Sequence, residues 1–440
     1  MVPHLITALN GPINELEARI LESMPATERW FRLEWMEHTP TFYASVDLRN
    51  AGFKLAPVDT NLFPTGFNHL TAQMLPQAVQ AAMAAIEKIC PEARNLLVIP
   101  ETGAKCSFYL DNLATLARIF TQAGLNVRFG TLDTAVTEPT ELPIANGGSI
   151  TVEPLVRKRG RLTLKGFDPC TILLNNDLSA GTPPQLMGLH EQYLLPPLHA
   201  GWTVRRKSQH FRAYEEVAKR FGKLLGMDPW LITPMFQAVD LHGKKGLEAL
   251  QTAADAQLTK VRRKYKEYGI NEKPFVVVKG GHSGSGSPGV VTVRDAKDVE
   301  ALIGKPRGSA GASVPAASAR NAAGRDLREP TELIVQEGVL TNERVHNGVA
   351  EPVVYMMDRY VVGGFYRVHA ERAADENLKL PGASFVPLAF SESAHLPQPG
   401  AKPGASAPNR FYMYGVVGRL AMVAASYEME ATNPDAEIYE

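Results

Sequence analysis

A chain of 440 residues is longer than one ordinary hydrophobic core can organise, so two or three packed domains are expected. With 45% hydrophobic and 21% charged residues, its composition is that of a globular protein. Lys plus Arg and Asp plus Glu balance at 46 each, which argues against the broad cationic footprint of a nucleic-acid binder but not against a local cationic pocket.

The first residues, MVPHLITALNGPINELEARI, lack the basic flank, apolar stretch and cleavage site of an export signal, and no apolar run reaches the roughly 18–20 residues of a membrane span. A cytoplasmic protein without a membrane partner is expected. Residues 12–24 and 77–89 carry apolar side chains at helical spacing, and 111–123 reads as a helix capped by Asp111 and closed by Gly124. Leu96–Ile99, Asn126–Phe129 and Ile172–Leu174 are of strand length. This alternation predicts an α/β domain with a mostly parallel sheet over 1–200. Cys90, Cys106 and Cys170 stand far apart with no C-x-x-C pair, giving neither a disulfide framework nor a zinc site.

Near residue 200 the pattern changes. Ser208 is placed to cap a helix with Phe211, Tyr214, Val217, Phe221 and Leu224 on one stripe, ended by Gly226 and Asp228-Pro229. Phe275–Val278 is a strand that delivers Lys279 into a glycine-rich run, GGHSGSGSPG, before a second strand begins at Val290. Backbone N–H groups at glycines such as Gly284 and Gly286 can close over phosphate oxygens, and Lys279 adds a point charge. The lysine precedes the glycines, so this is not a Walker A loop. The competing reading is a hairpin tip with a solvated lysine. Residues 304–330 and 397–408 are low in bulky apolar residues and read as mobile loops.

Glu332–Glu337 is a strand emerging into Gly338-Val339, where Gln336, Glu337 and Val339 can meet an adenine edge and Glu343 ribose hydroxyls. A hairpin follows, Pro352–Met357 turning at Asp358 into Val361–Val368. Arg367 interrupts its apolar second strand and so requires an anion, either a structural carboxylate or a transferred phosphoryl group. Gly415–Glu430 reads as an amphipathic helix. The expected units are 1–200, 201–396 and a linker with helix over 397–440.

This order of parts resembles the ATP-grasp ligases over about Lys207–Pro387, with Lys207 matching their earlier nucleotide lysine. More closely, SVDLRNAGFKLAPVDTNLFPTGFNHL (45–70), RRKSQHFRAYEEVAKRFGKLLGMDPWLITP (205–234), LIVQEGVLTNE (333–343) and VVYMMDRYVVGGFYRVHAERAADENLKLPG (353–382) are similar to the proteobacterial glutamate–cysteine ligase family of that fold. The resemblance implies an N-terminal α/β domain followed by an ATP-grasp-like α+β region. It also implies ATP and Mg²⁺ as cofactors, and L-glutamate and L-cysteine as substrates joined through a γ-glutamyl phosphate.

On that reading Lys279 and Arg367 are catalytic, and Lys207, Lys279, Gly284, Gly286, Gln336, Glu337, Val339 and Glu343 hold the nucleotide. Arg49 takes the glutamate α-carboxylate, Asp59 or Asn61 its amine, and Asn68 lies in the same substrate-binding segment. The superfamily's metal signature places Glu and Asn two apart, whereas Glu376 and Asn377 are adjacent here. Glu376 with Asp358 or Asn377 is the expected metal set. Glu428-x-Glu430 has the right spacing in a helical pattern that separates the two faces. Another amino-acid or peptide substrate, or a nucleotide-binding protein that has lost catalysis, remains open, as does a homo-oligomer.

Overall fold

The computed structural model describes residues 12–103, 106–241, 246–281, 290–299, 332–345, 347–388 and 410–434. The glycine run with Gly284 and Gly286, the 304–330 stretch and residues 397–408 lie outside them.

Two helices, α1 (Pro12–Glu22) and α2 (Met24–Glu37), precede a strand pair, β1 (Tyr43–Asn50) and β2 (Leu55–Asn61). Then come α3 (Leu75–Ile89), β3 (Asn95–Pro100), α4 (Ser107–Gln122), β4 (Asn126–Thr131), β5 (Thr140–Pro143) and β6 (Ser149–Pro154). A small ribbon, β7 (Val156–Lys158) and β8 (Arg161–Thr163), leads to β9 (Thr171–Asn175) and β10 (Tyr193–Leu195). The second half runs α5 (Lys207–Leu225), β11 (Phe236–Asp240), α6 (Gly246–Glu267), β12 (Val276–Gly280) and β13 (Val291–Val293). It continues with β14 (Glu332–Glu337), β15 (Glu343–Val345), β16 (Gly348–Met357), β17 (Tyr360–His369), β18 (Ser384–Pro387) and α7 (Phe411–Ala431).

Three main sheets result. The order β10-β9-β3-β4-β6-β5 is parallel except for β5, as the alternating pattern of the first half predicts. An antiparallel sheet, β11-β14-β12-β13, carries α6 against its apolar side. The remaining sheet, β18-β17-β16-β1-β2 with β15 on β16, joins the two ends of the chain. Here Asp47 on β1 pairs with Val353 on β16, so strands counted within 1–200 complete a sheet with strands of 201–396.

Three local expectations change. Helix α4 begins at Ser107, so Asp111 is a buried residue inside it and not its cap. Arg206 is the N-cap of α5, and the Ser208 hydroxyl instead donates to Glu332 Oε1 at 2.7 Å. Helix α7 is buried on nearly every face and packs against α5 and β1, β2, β16 and β17, so it is a core helix rather than an amphipathic one. Gly418 permits that approach, since a Cβ there would stand 2.7 Å from Val354 Cγ2. A buried Arg205–Glu428 ion pair, with His210 Nδ1 hydrogen-bonded to the same carboxylate, ties α7 to α5 and its N-terminal approach. Among the described residues no helix is long and apolar enough to cross a membrane.

Candidate functional site

Side chains two apart on a strand share a face, and that rule assembles the floor of an open cleft between the β1/β16 sheet and the β12/β14 sheet. Asp47 and Arg49 project from β1, Asp59 from the paired β2, and Glu351 and its register partner Arg367 from β16 and β17. Lys207, at the start of α5, bonds Asp59 Oδ1 at 2.9 Å. Lys379, on the irregular stretch after β17, bonds Asp59 Oδ2 at 2.7 Å and Asp47 Oδ2 at 2.5 Å. Arg367 spans Asp47 Oδ1 at 3.3 Å and Glu351 Oε1 at 2.5 Å, and Arg49 Nε donates to Glu351 Oε2 at 2.9 Å. The result is one alternating series, Lys207–Asp59–Lys379–Asp47–Arg367–Glu351–Arg49, in which four cations face three carboxylates.

Lys279 adds a further cation. It reaches from β12 to Gln336 Oε1 at 2.6 Å and to the carbonyl of Val58 at 2.7 Å, so among the described residues neutral oxygens accept from it. Burial, with the Lys207 charge adding to it, pushes its pKa down to about 7. Burial would raise Asp59, but Lys207, Lys379 and Lys279 overcome it and hold that carboxyl well below the usual range. Asp47 is likewise held low by Lys379 and Arg367 against the effect of burial. Gln336 Nε2 is buried at the cleft without a partner among the described residues. A buried amide donor left unpaired costs about 1–3 kcal/mol, so it is a natural contact for a ligand acceptor.

Along one edge lie Asp375, Glu376 and Asn377. The chain is irregular there, with Glu376 N bonded to Ala373 O, and all three consecutive residues line the cleft. The adjacency of Glu376 and Asn377 is therefore no obstacle. Asp375, two before Asn377, supplies an acid at the two-residue spacing, with its carboxylate on Arg294.

The sequence model of the glutamate–cysteine ligase family matches residues 17–429. The chain belongs to the glutamate–cysteine ligase family. A crystal structure of a protein from Methylobacillus flagellatus KT, provisionally assigned as a gamma-glutamylcysteine synthetase, is 50% identical, with a TM-score of 0.84 over 98% of this chain and 100% of that one. A glutathione synthetase-like effector from Globodera pallida aligns at 10% identity and a TM-score of 0.36, over 84% of this chain and 77% of that one, and carries no argument. No curated protein sequence matches. Membership makes the chain an ATP-dependent ligase.

Within this glutamate–cysteine ligase, the cleft gathers Arg49, Asp59, Lys207, Lys279, Gln336, Glu337, Val339, Glu376 and Asn377 of the residues singled out in the sequence. Arg367 stands behind it on Asp47 and Glu351, both of which line it. Arg49 is already committed, donating to Glu351 and to the carbonyls of Val339 at 3.2 Å and Glu376 at 2.5 Å. The Glu337 carboxylate faces away from any nucleotide edge: it is fully buried on Lys54 Nζ at 2.8 Å, Trp230 Nε1 and Met235 N. Gly338 follows because a Cβ would meet the Phe275 ring at 2.1 Å.

Four expected residues lie elsewhere. Asp358 has a left-handed φ of 49° at the hairpin turn and its carboxylate holds Lys88, so it is no metal ligand for this cleft. Asn61 closes a turn on Phe63, its Oδ1 accepting Phe63 N. Asn68 sits in a 3₁₀ turn, with its Oδ1 buried and unpartnered among the described residues. Glu343 does not reach a ribose: it is wholly buried, accepting from Asn50 Nδ2 at 3.0 Å and from the Tyr414 hydroxyl. The alternative metal pair is also split, since Glu428 holds Arg205 and Glu430 holds His38.

Burial pushes Glu343 up to about 7, against bonds from Tyr414 and Asn50 that favour the anion. An unfolded glutamate loses its proton near 4.5. Between these values the folded state binds the extra proton, so this group's contribution to stability is lost as pH rises through that window. Glu343→Gln should therefore melt closer to the wild type at pH 5 and above it at pH 8. A wild-type-minus-variant difference in Tm that does not change with pH would remove Glu343 as the titrating group.

Proposed function

We propose that this cleft joins L-glutamate and L-cysteine into γ-glutamylcysteine at the expense of ATP. The observation that carries the reading is a gathering of cations in one cleft: four cations alternate with three carboxylates, and beside them Lys279 bonds neutral oxygens among the described residues. A triphosphate and two amino-acid carboxylates are the kind of ligand such clustered cations accept.

The chemistry follows from the carboxylate, a poor electrophile. An oxygen of the glutamate γ-carboxylate attacks the γ-phosphorus of ATP, and ADP leaves. The cysteine amine then attacks the acyl carbon, and phosphate departs as the amine loses its proton. Lys207 and Lys279 stabilise the negative charge that crowds the phosphoryl oxygens, each typically worth about 3–4 kcal/mol of barrier, and Arg367 adds its charge from behind Asp47 and Glu351. Asp375, Glu376 and Asn377 are oxygen donors that would hold Mg²⁺ on exchanging their present partners Arg294, Ala373 N and Lys379 N for it, and the ion would neutralise phosphate charge. Among the described residues no group of three His, Cys, Asp or Glu side chains could hold a metal by itself. Asp47 and Asp59, now sharing the Lys379 ammonium, offer the paired negative charge that a substrate ammonium needs.

Phosphate release across a panel of amino-acid pairs tests the substrates. Release is expected only with glutamate and cysteine together, and equal release with other pairs would remove the assignment. The role of Lys279 has its own signature. Its ammonium is lost as pH rises through about 7 in the free protein, so kcat/KM for ATP should fall above that pH. Lys279→Arg, charged throughout, should flatten that limb. An unchanged profile would place the titrating group elsewhere.

A further inference from the structure

Two of the three cysteines, unrelated in sequence, meet in space. Cys90 ends α3 as its C-cap residue, with its N–H bonded to Ile86 O. Cys170 stands one residue ahead of β9, and its carbonyl accepts Tyr193 N at 2.9 Å. The Cys90 thiol donates to Cys170 Sγ at 2.6 Å across a separation of 80 residues. Helix and strand hydrogen bonds fix the backbone on both sides, so the two sulfurs face each other from ordered elements. Both cysteines are free and half-buried, which leaves a small reagent a way in, whereas Cys106 is exposed at the start of α4 and takes no part.

We propose that Cys90 and Cys170 form a reversible modification site, a dithiol that a low-molecular-weight disulfide converts to an intramolecular disulfide. One protein sulfur, as its thiolate, attacks a sulfur of the reagent, forming a mixed disulfide and releasing one small thiol. The second protein sulfur then attacks the first, breaking the mixed disulfide and releasing the other small thiol. Two protein thiols are oxidised, one reagent disulfide is reduced to two thiols, and the two protons pass to the departing thiolates. The second step is intramolecular and its partner is already in contact, so it outruns a second mixed disulfide. Burial and the neighbouring Cys170 push Cys90 up to about 11, so it rests as a thiol near neutral pH.

The bridge would tie the end of α3, which covers β16 and β17, to the parallel sheet at β9. Those layers share one core through residues such as Val98, Leu173, Val353 and Phe365. Lys88, two residues before Cys90, holds the Asp358 turn of the hairpin that carries Glu351 and Arg367. The modification therefore braces the strands behind the cleft without touching the residues that line it.

The full-length chain is incubated with cystine, quenched, alkylated under denaturing conditions and mapped by peptide mass. Only Cys106 should alkylate, a Cys90–Cys170 linked peptide should appear, and dithiothreitol should restore all three thiols. Closing a loop of this length should raise Tm by about 5 °C. Cys90→Ser and Cys170→Ser, checked for unchanged melting when reduced, should show neither the linked peptide nor the rise. Cys106→Ser should show both. Alkylation of all three cysteines, or a persisting cysteine adduct on Cys90 or Cys170 of the wild-type chain, overturns the proposal.

Discussion

Arg367→Ala should lower kcat by about 10²–10³-fold, the loss typical of removing one preorganised charge from a transition state. The guanidinium joins Glu351 Oε1 and Asp47 Oδ1, and both carboxylates are buried. Removing it leaves the series with three cations against three carboxylates, so its positive surplus disappears and Lys279 alone faces an incoming polyanion. Arg367→Lys should recover little, because one ammonium cannot reproduce the planar fork that spans two carboxylates. Steady-state kinetics with ATP as the varied substrate, alongside calorimetric ATP binding and a melting curve, separate lost chemistry from lost folding. Activity within threefold of wild type in a folded Arg367→Ala protein would take this arginine out of the phosphate-handling set.

Lys54→Met should destabilise the fold by about 3–5 kcal/mol, the usual result of stranding one partner of a buried ion pair. Both Lys54 and Glu337 have side chains only 1% exposed, and the carboxylate would keep Trp230 Nε1 and Met235 N as donors but lose its counter-charge. Lys54 reaches from the β1–β2 turn to the end of β14, so the pair also fixes the cleft's two walls against each other. The double variant Lys54→Met/Glu337→Gln should recover much of the loss, because no buried charge remains. Urea unfolding followed by circular dichroism reads both. A single variant within about 1 kcal/mol of wild type would mean that water or another cation reaches Glu337.

Much of this arrangement was visible in the sequence wherever a charge breaks an apolar strand. Lys279 and Arg367 stand out for that reason, and the cleft includes or adjoins both. Glu351 carries the same signal inside GVAEPVV, yet only its pairing with Arg49 and Arg367 reveals its place. Lys379 and Asp375 sit on an irregular stretch that has no periodicity, so nothing local tells which way they face. Glu343 fails for the opposite reason. Its distance from the hinge strand suits a ribose contact, but β15 pairs with β16 and turns the carboxylate inward onto Asn50 and Tyr414. In α7 the small residues from Gly415 to Ser426 permit burial all round, which an apolar stripe alone does not announce. The Cys90–Cys170 contact needs the parallel sheet itself, because 80 residues separate the two thiols.

The pairing of β1 with β16 has a consequence for how the molecule is made. Tyr43–Asn50 leaves the ribosome about 300 residues before Gly348–Met357, the neighbour that closes its outer edge, so at typical elongation speeds of roughly 5–20 residues per second it waits about 15–60 s. Throughout that interval a hairpin with one apolar face, later roofed by the last helix, has an open flank. Nascent copies on one messenger are therefore most prone to cross-pair through this segment, and a chain cut short before residue 357 would carry that hazard permanently.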